Sequence, residues 1–280
     1  FLDRKVVDDQ QVWSVDGRFL AQLGDATEVD IKARYADLSG ASINFNAAFH
    51  LPNFSGAFNE DVDDHPFGYY SNIRPTNDQQ SFDVSAKVEH DFGSATLTAW
   101  ALYSDIKQDL VADGTSADFA PFGPYSPTTC DGTQYQKRTQ KDISAEIRLA
   151  SNNDGAFNWQ VGAYYLNIDR LTGVSIGGDT GQGVIRNLFN DATSANPTSV
   201  LLADSFKTDV YAAFGSLEFE PSDSFKAGVA LRYDIEDRST ASRVPTAVDP
   251  FTGGPINPGQ AFGVLVPKSQ SYKQLQPKIS

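Results

Sequence analysis

Along most of this chain, apolar and polar residues alternate with a period of two. The cleanest stretch is Phe225-Lys-Ala-Gly-Val-Ala-Leu-Arg-Tyr-Asp-Ile-Glu236. One parity holds Phe225, Ala227, Val229, Leu231, Tyr233 and Ile235; the other holds Lys226, Gly228, Ala230, Arg232, Asp234 and Glu236. Successive side chains leave a strand on opposite faces, so such a strand is oily on one side and charged on the other. Residues 11–23, 27–36, 82–92 and 139–150 repeat the pattern, and 157–169 and 208–219 follow it less strictly. In 95–106 both parities carry apolar groups (Leu97, Ala99 and Tyr103 against Trp100 and Leu102), which leaves the outward face open. The last segment contains Pro277, which cannot donate to a ladder and weakens the strand signal there. The reading is all-β, with about eight strands.

The connections alternate too. Tight turns fall at Gly24-Asp25, around Gly93, at Asn152-Asn-Asp-Gly155 and at Pro221-Ser-Asp223. Long polar stretches lie near 38–80, 107–138, 171–207 and 238–270. Compact soluble domains connect their elements mostly through about 2–6 residues. Short on one side and long on the other is instead the pattern of an antiparallel up-and-down transmembrane β-barrel. On the oily parities, Trp13, Tyr35, Tyr103, Tyr165, Tyr211 and Tyr233 sit near the long-loop ends; Phe92, Phe157, Trp159, Phe219 and Phe225 sit near the tight turns. Two aromatic girdles bracket the apolar band of such a barrel. A β-sandwich also alternates, but has no cause to sort tyrosine to one end of every strand.

Composition closes other routes. No stretch approaches the roughly 18 apolar residues of a membrane helix. Lys+Arg 22 against Asp+Glu 36 gives a net charge of −14, which disfavours a phosphate-binding surface and hence a nucleic-acid partner. The one cysteine, Cys130, excludes an internal disulfide framework and a multi-cysteine zinc site; a free loop thiol or half of a bridge to another part is expected. The chain has no methionine and stops at Ser280 without a turn signal, so a piece of a longer chain is expected.

The stretches Ser144-Ala-Glu-Ile-Arg-Leu-Ala-Ser151, Trp159-Gln-Val-Gly-Ala-Tyr-Tyr165, Tyr211-Ala-Ala-Phe-Gly-Ser-Leu217, Ala227-Gly-Val-Ala-Leu-Arg-Tyr-Asp234 and Gln276-Pro-Lys-Ile-Ser280 resemble the barrel of a TonB-dependent outer-membrane receptor. The resemblance implies that residues 1–280 are part of a single barrel of roughly 22 strands. It also implies a bacterial outer-membrane location, contact with outer-membrane lipid, and a plug domain lying outside this stretch. Through that plug a TonB-like inner-membrane protein would drive uptake of a scarce ligand: an iron–siderophore, a corrinoid or an oligosaccharide. A passive porin-like channel or adhesin needs the same strands without a plug, and a soluble carbohydrate-binding sandwich is the third reading.

Nothing points to an enzyme. Gly173-Val-Ser-Ile-Gly177 matches the G-x-S-x-G elbow in letters, but no His follows His90, so it reads as a glycine-rich loop without a catalytic residue. The same glycines lack the Lys-Ser/Thr of a phosphate-gripping loop. Asn59-Glu-Asp-Val-Asp-Asp-His65 lacks the spacing of a calcium loop, and His50, His65 and His90 have no partner four residues away, so no metal or cofactor is expected. In Phe67-Gly-Tyr-Tyr-Ser-Asn-Ile-Arg74, Tyr69 and Tyr70 offer rigid amphipathic area and Arg74 a planar donor fork, the expected ligand-binding residues. Phe119-Ala-Pro-Phe-Gly-Pro-Tyr125 is a second segment of that kind.

Overall fold

The computed structural model describes residues 9–42, 73–113, 132–152, 155–179, 184–222, 224–249, 253–256 and 267–280. Nine strands follow one another: β1 (Gln10–Leu23), β2 (Thr27–Gly40), β3 (Thr76–Asp91), β4 (Ala95–Asp113), β5 (Gly132–Ser151), β6 (Phe157–Gly178), β7 (Thr198–Ser222), β8 (Phe225–Ser242) and β9 (Lys268–Ile279). They form a single antiparallel sheet in chain order, each strand paired with its neighbours in sequence. Among the described residues β1 and β9 are the two edges of that sheet.

The tight turns at Gly24-Asp25 and around Gly93 lie where the sequence puts them, whereas Pro221 and Ser222 still belong to β7. Gly24 and Gly93 take φ of 68° and 87°, a region a side chain would strain. At the other end the strands run further than the alternation indicates. β6 continues to Gly178 and β7 begins at Thr198, so much of the stretch 171–207 is sheet and not loop. The other long connections shorten in the same way, with β3 starting at Thr76, β4 reaching Asp113 and β8 reaching Ser242. β7 carries 25 residues, well over the about 9–11 that cross a bilayer. The last segment, with its weakened signal, is a full strand, β9. Pro277 stands opposite Leu231 on the outermost strand, where its missing N–H faces away from the ladder.

Register sorts the two faces. The pairs Val88↔Ala99, Ala99↔Ile147, Ile147↔Ala163, Ala163↔Ala213 and Ala213↔Tyr233 put one row of apolar residues across β3–β8. This settles β4: Leu97, Ala99, Ala101 and Tyr103 share the oily face, called outer here, and Trp100 and Leu102 lie on the inner one. Ile147 is 52% exposed and Val229 also 52%, in the middle of that face. A continuous patch of this size needs an apolar medium over it. Aromatics bracket the band. Trp13–Tyr35 (5.2 Å) and Tyr165–Tyr211 (5.1 Å) stand at the long-loop end; Phe157–Phe219 (4.6 Å) and Phe219–Phe225 (6.4 Å) stand at the turn end.

Beyond the upper aromatics the outer face is covered by the chain itself. Leu201, Ala203, Val244 and Ile256 form a buried cluster with Leu188 and Ala247 against it, and Leu188 also packs on Ile73, Val111 and Tyr135. Segments 184–197, 243–249 and 253–256 thus form a collar on the extensions. A side chain at Gly173 would meet Leu188 Cδ2 at 2.5 Å, so only glycine lets the collar lie this close. Burial, and then the Asp109 carboxylate that accepts its hydrogen bond, push the Tyr135 phenol up.

Candidate functional site

The inner face carries charge at membrane depth, and it pairs that charge laterally. Arg18 donates to both oxygens of Asp30 at 2.9 and 3.1 Å, and Lys32 reaches the same carboxylate at 3.2 Å. Lys87 meets Glu89 at 3.0 Å, and Arg232 meets Asp234 at 2.8 Å. Charges at this depth belong on a wet lumen side, because lipid would not solvate them. Arg232 also lies over the rings of Tyr164 and Phe214, at 5.6 and 5.8 Å. Phe214 covers Gly162, where a Cβ would stand 2.4 Å from its ring.

Above this level the same face opens into a pocket of about 540 Å³. Gln140 of β5, Arg170 of β6, Phe206 of β7, Arg238 of β8 and Tyr272 of β9 line it, with Lys268 at the edge strand and Leu166 and Ile168 as its floor. The register that brings them together runs Gln140↔Arg170, Arg170↔Phe206 and Phe206↔Thr240. Arg170 stands over the Phe206 ring at 4.8 Å, and Arg238 over the Tyr272 ring at 5.5 Å. Glu236 accepts a hydrogen bond from Arg238 Nε, which raises that guanidinium's pKa and keeps it charged. Arg170 makes no ion pair among the described residues. Two guanidinium planes on aromatic faces, with an ammonium beside them, suit an anion that is itself planar or rich in oxygen.

Of the ligand-binding residues expected from sequence, only Arg74 is among the described residues. Tyr69, Tyr70, the acidic stretch 59–65, the segment 119–125 and Cys130 lie outside the described residues. Arg74 stands just before β3 and binds Asp9 at 2.7 Å; it does not line the pocket. The stretch Gly173–Gly177, expected as a loop, is the upper part of β6. Ser175 is buried there, hydrogen-bonded to the Thr198 hydroxyl at 3.2 Å, and Gly177 lets the Pro197 carbonyl approach at a register shift. The pocket residues gave one sequence signal. Arg170, Phe206 and Arg238 continue the inner parity of their strands past the upper tyrosines, but only with strand ends and register known does that parity gather them.

Comparison with known proteins fits this geometry. No curated protein sequence matches the chain. Among solved structures, the ferric-catecholate import receptor Fiu from E. coli K12, in its closed form, is similar at 15% identity with a TM-score of 0.63. The match covers 96% of this chain and 40% of Fiu. The ferric yersiniabactin uptake receptor FyuA from Yersinia pestis is similar at 11% identity with a TM-score of 0.61, over 96% of this chain and 34% of FyuA. The chain therefore spans less than half of either receptor, and at these identities the likeness speaks for the fold. The family model described as TonB dependent receptor-like, beta-barrel matches residues 18–280. With the strand order, the two aromatic girdles and that match together, the chain belongs to the TonB-dependent receptors, as part of their β-barrel.

Proposed function

We propose that this chain is part of the wall of a bacterial outer-membrane receptor that imports an oxygen-rich anionic metal chelate of the iron–siderophore class. The observation that carries the reading is the lumen-side pocket in which Arg170 and Arg238 each lie over an aromatic ring, with Lys268 beside them. Catecholate and carboxylate groups match guanidinium forks in charge and shape, and aromatic faces hold the rest of such a ligand. Fiu, whose name records ferric-catecholate import, lends support to that class over a corrinoid or an oligosaccharide. Energy would come from a TonB-like protein acting through a plug domain, and outer-membrane lipid would surround the band. Tyr69, Tyr70 and Arg74 are proposed as a loop contribution to ligand capture; Arg74 would have to leave Asp9 to take part.

The test uses the full-length receptor and a ferric tris-catecholate probe. Arg170→Gln removes one charge-assisted contact and should weaken probe binding by about ten- to a hundredfold, with uptake falling in step. Unchanged binding in that variant would overturn the pocket assignment. A steady open-pore current from the full-length protein in a planar bilayer would instead favour the passive channel.

A further inference from the structure

Above the pocket the inner face changes from polar to apolar. The lateral row at the pocket runs Gln140, Arg170, Phe206 and Thr240, and the next row up holds Thr172 opposite Asp204. Beyond it Val174 stands opposite Leu202 and Ile176 opposite Val200. Gln136 and Gln134 of β5 rim these four apolar residues on one side. On the other side the β7–β8 ladder reaches only as far as Asp204. Leu202 is 52% exposed and Ile176 39%.

Neither lipid nor the collar accounts for this exposure. A strand rises about 3.4 Å per residue, which puts Leu202 about 30 Å along β7 from Tyr211, well beyond the upper girdle. The collar packs on the opposite side of the hairpin, where Leu201 and Ala203 are buried and Leu188 lies over Gly173. The outward side of the hairpin thus has its own core, and the four apolar side chains on the lumen side are surplus to it. Facing the lumen, they are out of reach of the bilayer and of a second barrel. Apolar patches rimmed by polar groups mark binding sites. This one is continuous with the pocket, on the same parity of the same two strands, and Val174 lies about 13 Å up β6 from Arg170.

We propose that the ligand of this receptor is amphiphilic, an anionic chelate that carries an apolar arm. The chelate sits among Arg170, Arg238 and Lys268, and the arm runs outward past Thr172 and Asp204 to lie over Val174, Ile176, Val200 and Leu202. The order of polarity along the face sets that direction: charge is matched at the deep end, and apolar surface leaves water at the mouth. Asp204 between the two levels repels a second anionic group there, whereas a neutral arm passes it. A compact chelate without an arm would fill the pocket and leave the patch wet. The inference rests on the pocket reading above and names the kind of ligand that pocket takes.

The experiment measures binding of two probes to the full-length receptor in one detergent: ferric tris-catecholate, and the same chelate bearing one decyl arm. The armed probe should bind about tenfold tighter, a factor that burying a few methylene groups supplies. Ile176→Ser with Leu202→Ser should bring the two affinities together, and Arg170→Gln should weaken both probes while keeping their ratio. Partition of the arm into micelles acts alike on every variant, so it cannot produce the loss of ratio in the serine protein. Heat-modifiable gel mobility checks that each variant is folded, and Leu202→Ser alone serves if the pair is not. Equal affinity for the two probes, or an undiminished ratio in the folded serine variant, would overturn the apolar arm. Probe binding that Arg170→Gln leaves unchanged would overturn the pocket reading instead.

Discussion

Leu231 and Leu201 both lie on the outer parity of the same sheet, yet Leu231 is 50% exposed and Leu201 is 1% exposed. They differ in what covers them. Leu231 belongs to the band between the aromatic girdles, where no other part of the described chain packs on the sheet and, on the membrane reading, lipid would be the solvent. Leu201 belongs to the extension above the girdle, where Val244, Ile256 and Leu188 close over it and its N–H donates to the Ile256 carbonyl at 3.0 Å. The same alternation therefore serves two solvents along one strand system. The switch between them is marked by the tyrosines and by the row Asp105, Lys141, Asp169 and Lys207 above them.

The contrast predicts which substitutions each region tolerates. The largest effect is expected in the collar: Leu201→Ala leaves a cavity under Ile256 and should cost about 2–5 kcal/mol locally. Limited proteolysis of the full-length receptor should then cut segment 184–197, 243–249 or 253–256 while the band stays resistant. In the band, Val229→Arg should cost about 2–4 kcal/mol, read as a lowered unfolding temperature in lipid, because a charge at the centre of the apolar face is poorly solvated. Lys226→Arg, on the inner parity of the same strand, should leave that temperature unchanged. If both arginines behaved alike, the two faces would not differ in solvent.

The smallest effect is a pH dependence confined to the collar. The Thr193 hydroxyl, then the N–H groups of Thr193 and Ser194, hold the Asp191 carboxyl below its usual range. A carboxyl lowered in the folded state stabilises it above its ordinary pKa of about 3.9, and that contribution is lost as pH falls toward the lowered value. Amide protection in residues 190–195, referred to the intrinsic exchange rate at each pH, should therefore fall below about pH 4 in the full-length protein. Asp191→Asn should flatten that change; if it does not, the Thr193 contacts are not its source.

The barrel was readable from sequence because its signal is local: a period of two, tight turns with glycine, and aromatics at fixed ends. The family match also agrees with the expectation that the chain is not an enzyme, since these proteins are receptors and transporters. What the sequence hid is what depends on register. Trp100 and Leu102 read as well outward as inward until Leu97↔Leu149 and Ala99↔Ile147 fix β4. The collar escaped because Leu188 and Ile256 sit in segments rich in Asn, Gly and Pro with no periodicity to flag them. The pocket escaped because its cations come from three strands, and Phe206, Arg238 and Lys268 fall in the ranges 171–207 and 238–270, which look like loop when read for alternation alone. Pro277 weakens the strand signal of the last segment, because proline is out of place in a central strand, yet it is at home on this edge.

The most direct test is photolabelling of the full-length receptor in its membrane with a reagent confined to the bilayer core. Label should reach Val229, Leu231 and Ile147, and should spare Lys226 and Arg148 on the inner face and Leu201 under the collar. Label on Arg148 with none on Ile147 would contradict the assignment of faces on which everything else stands.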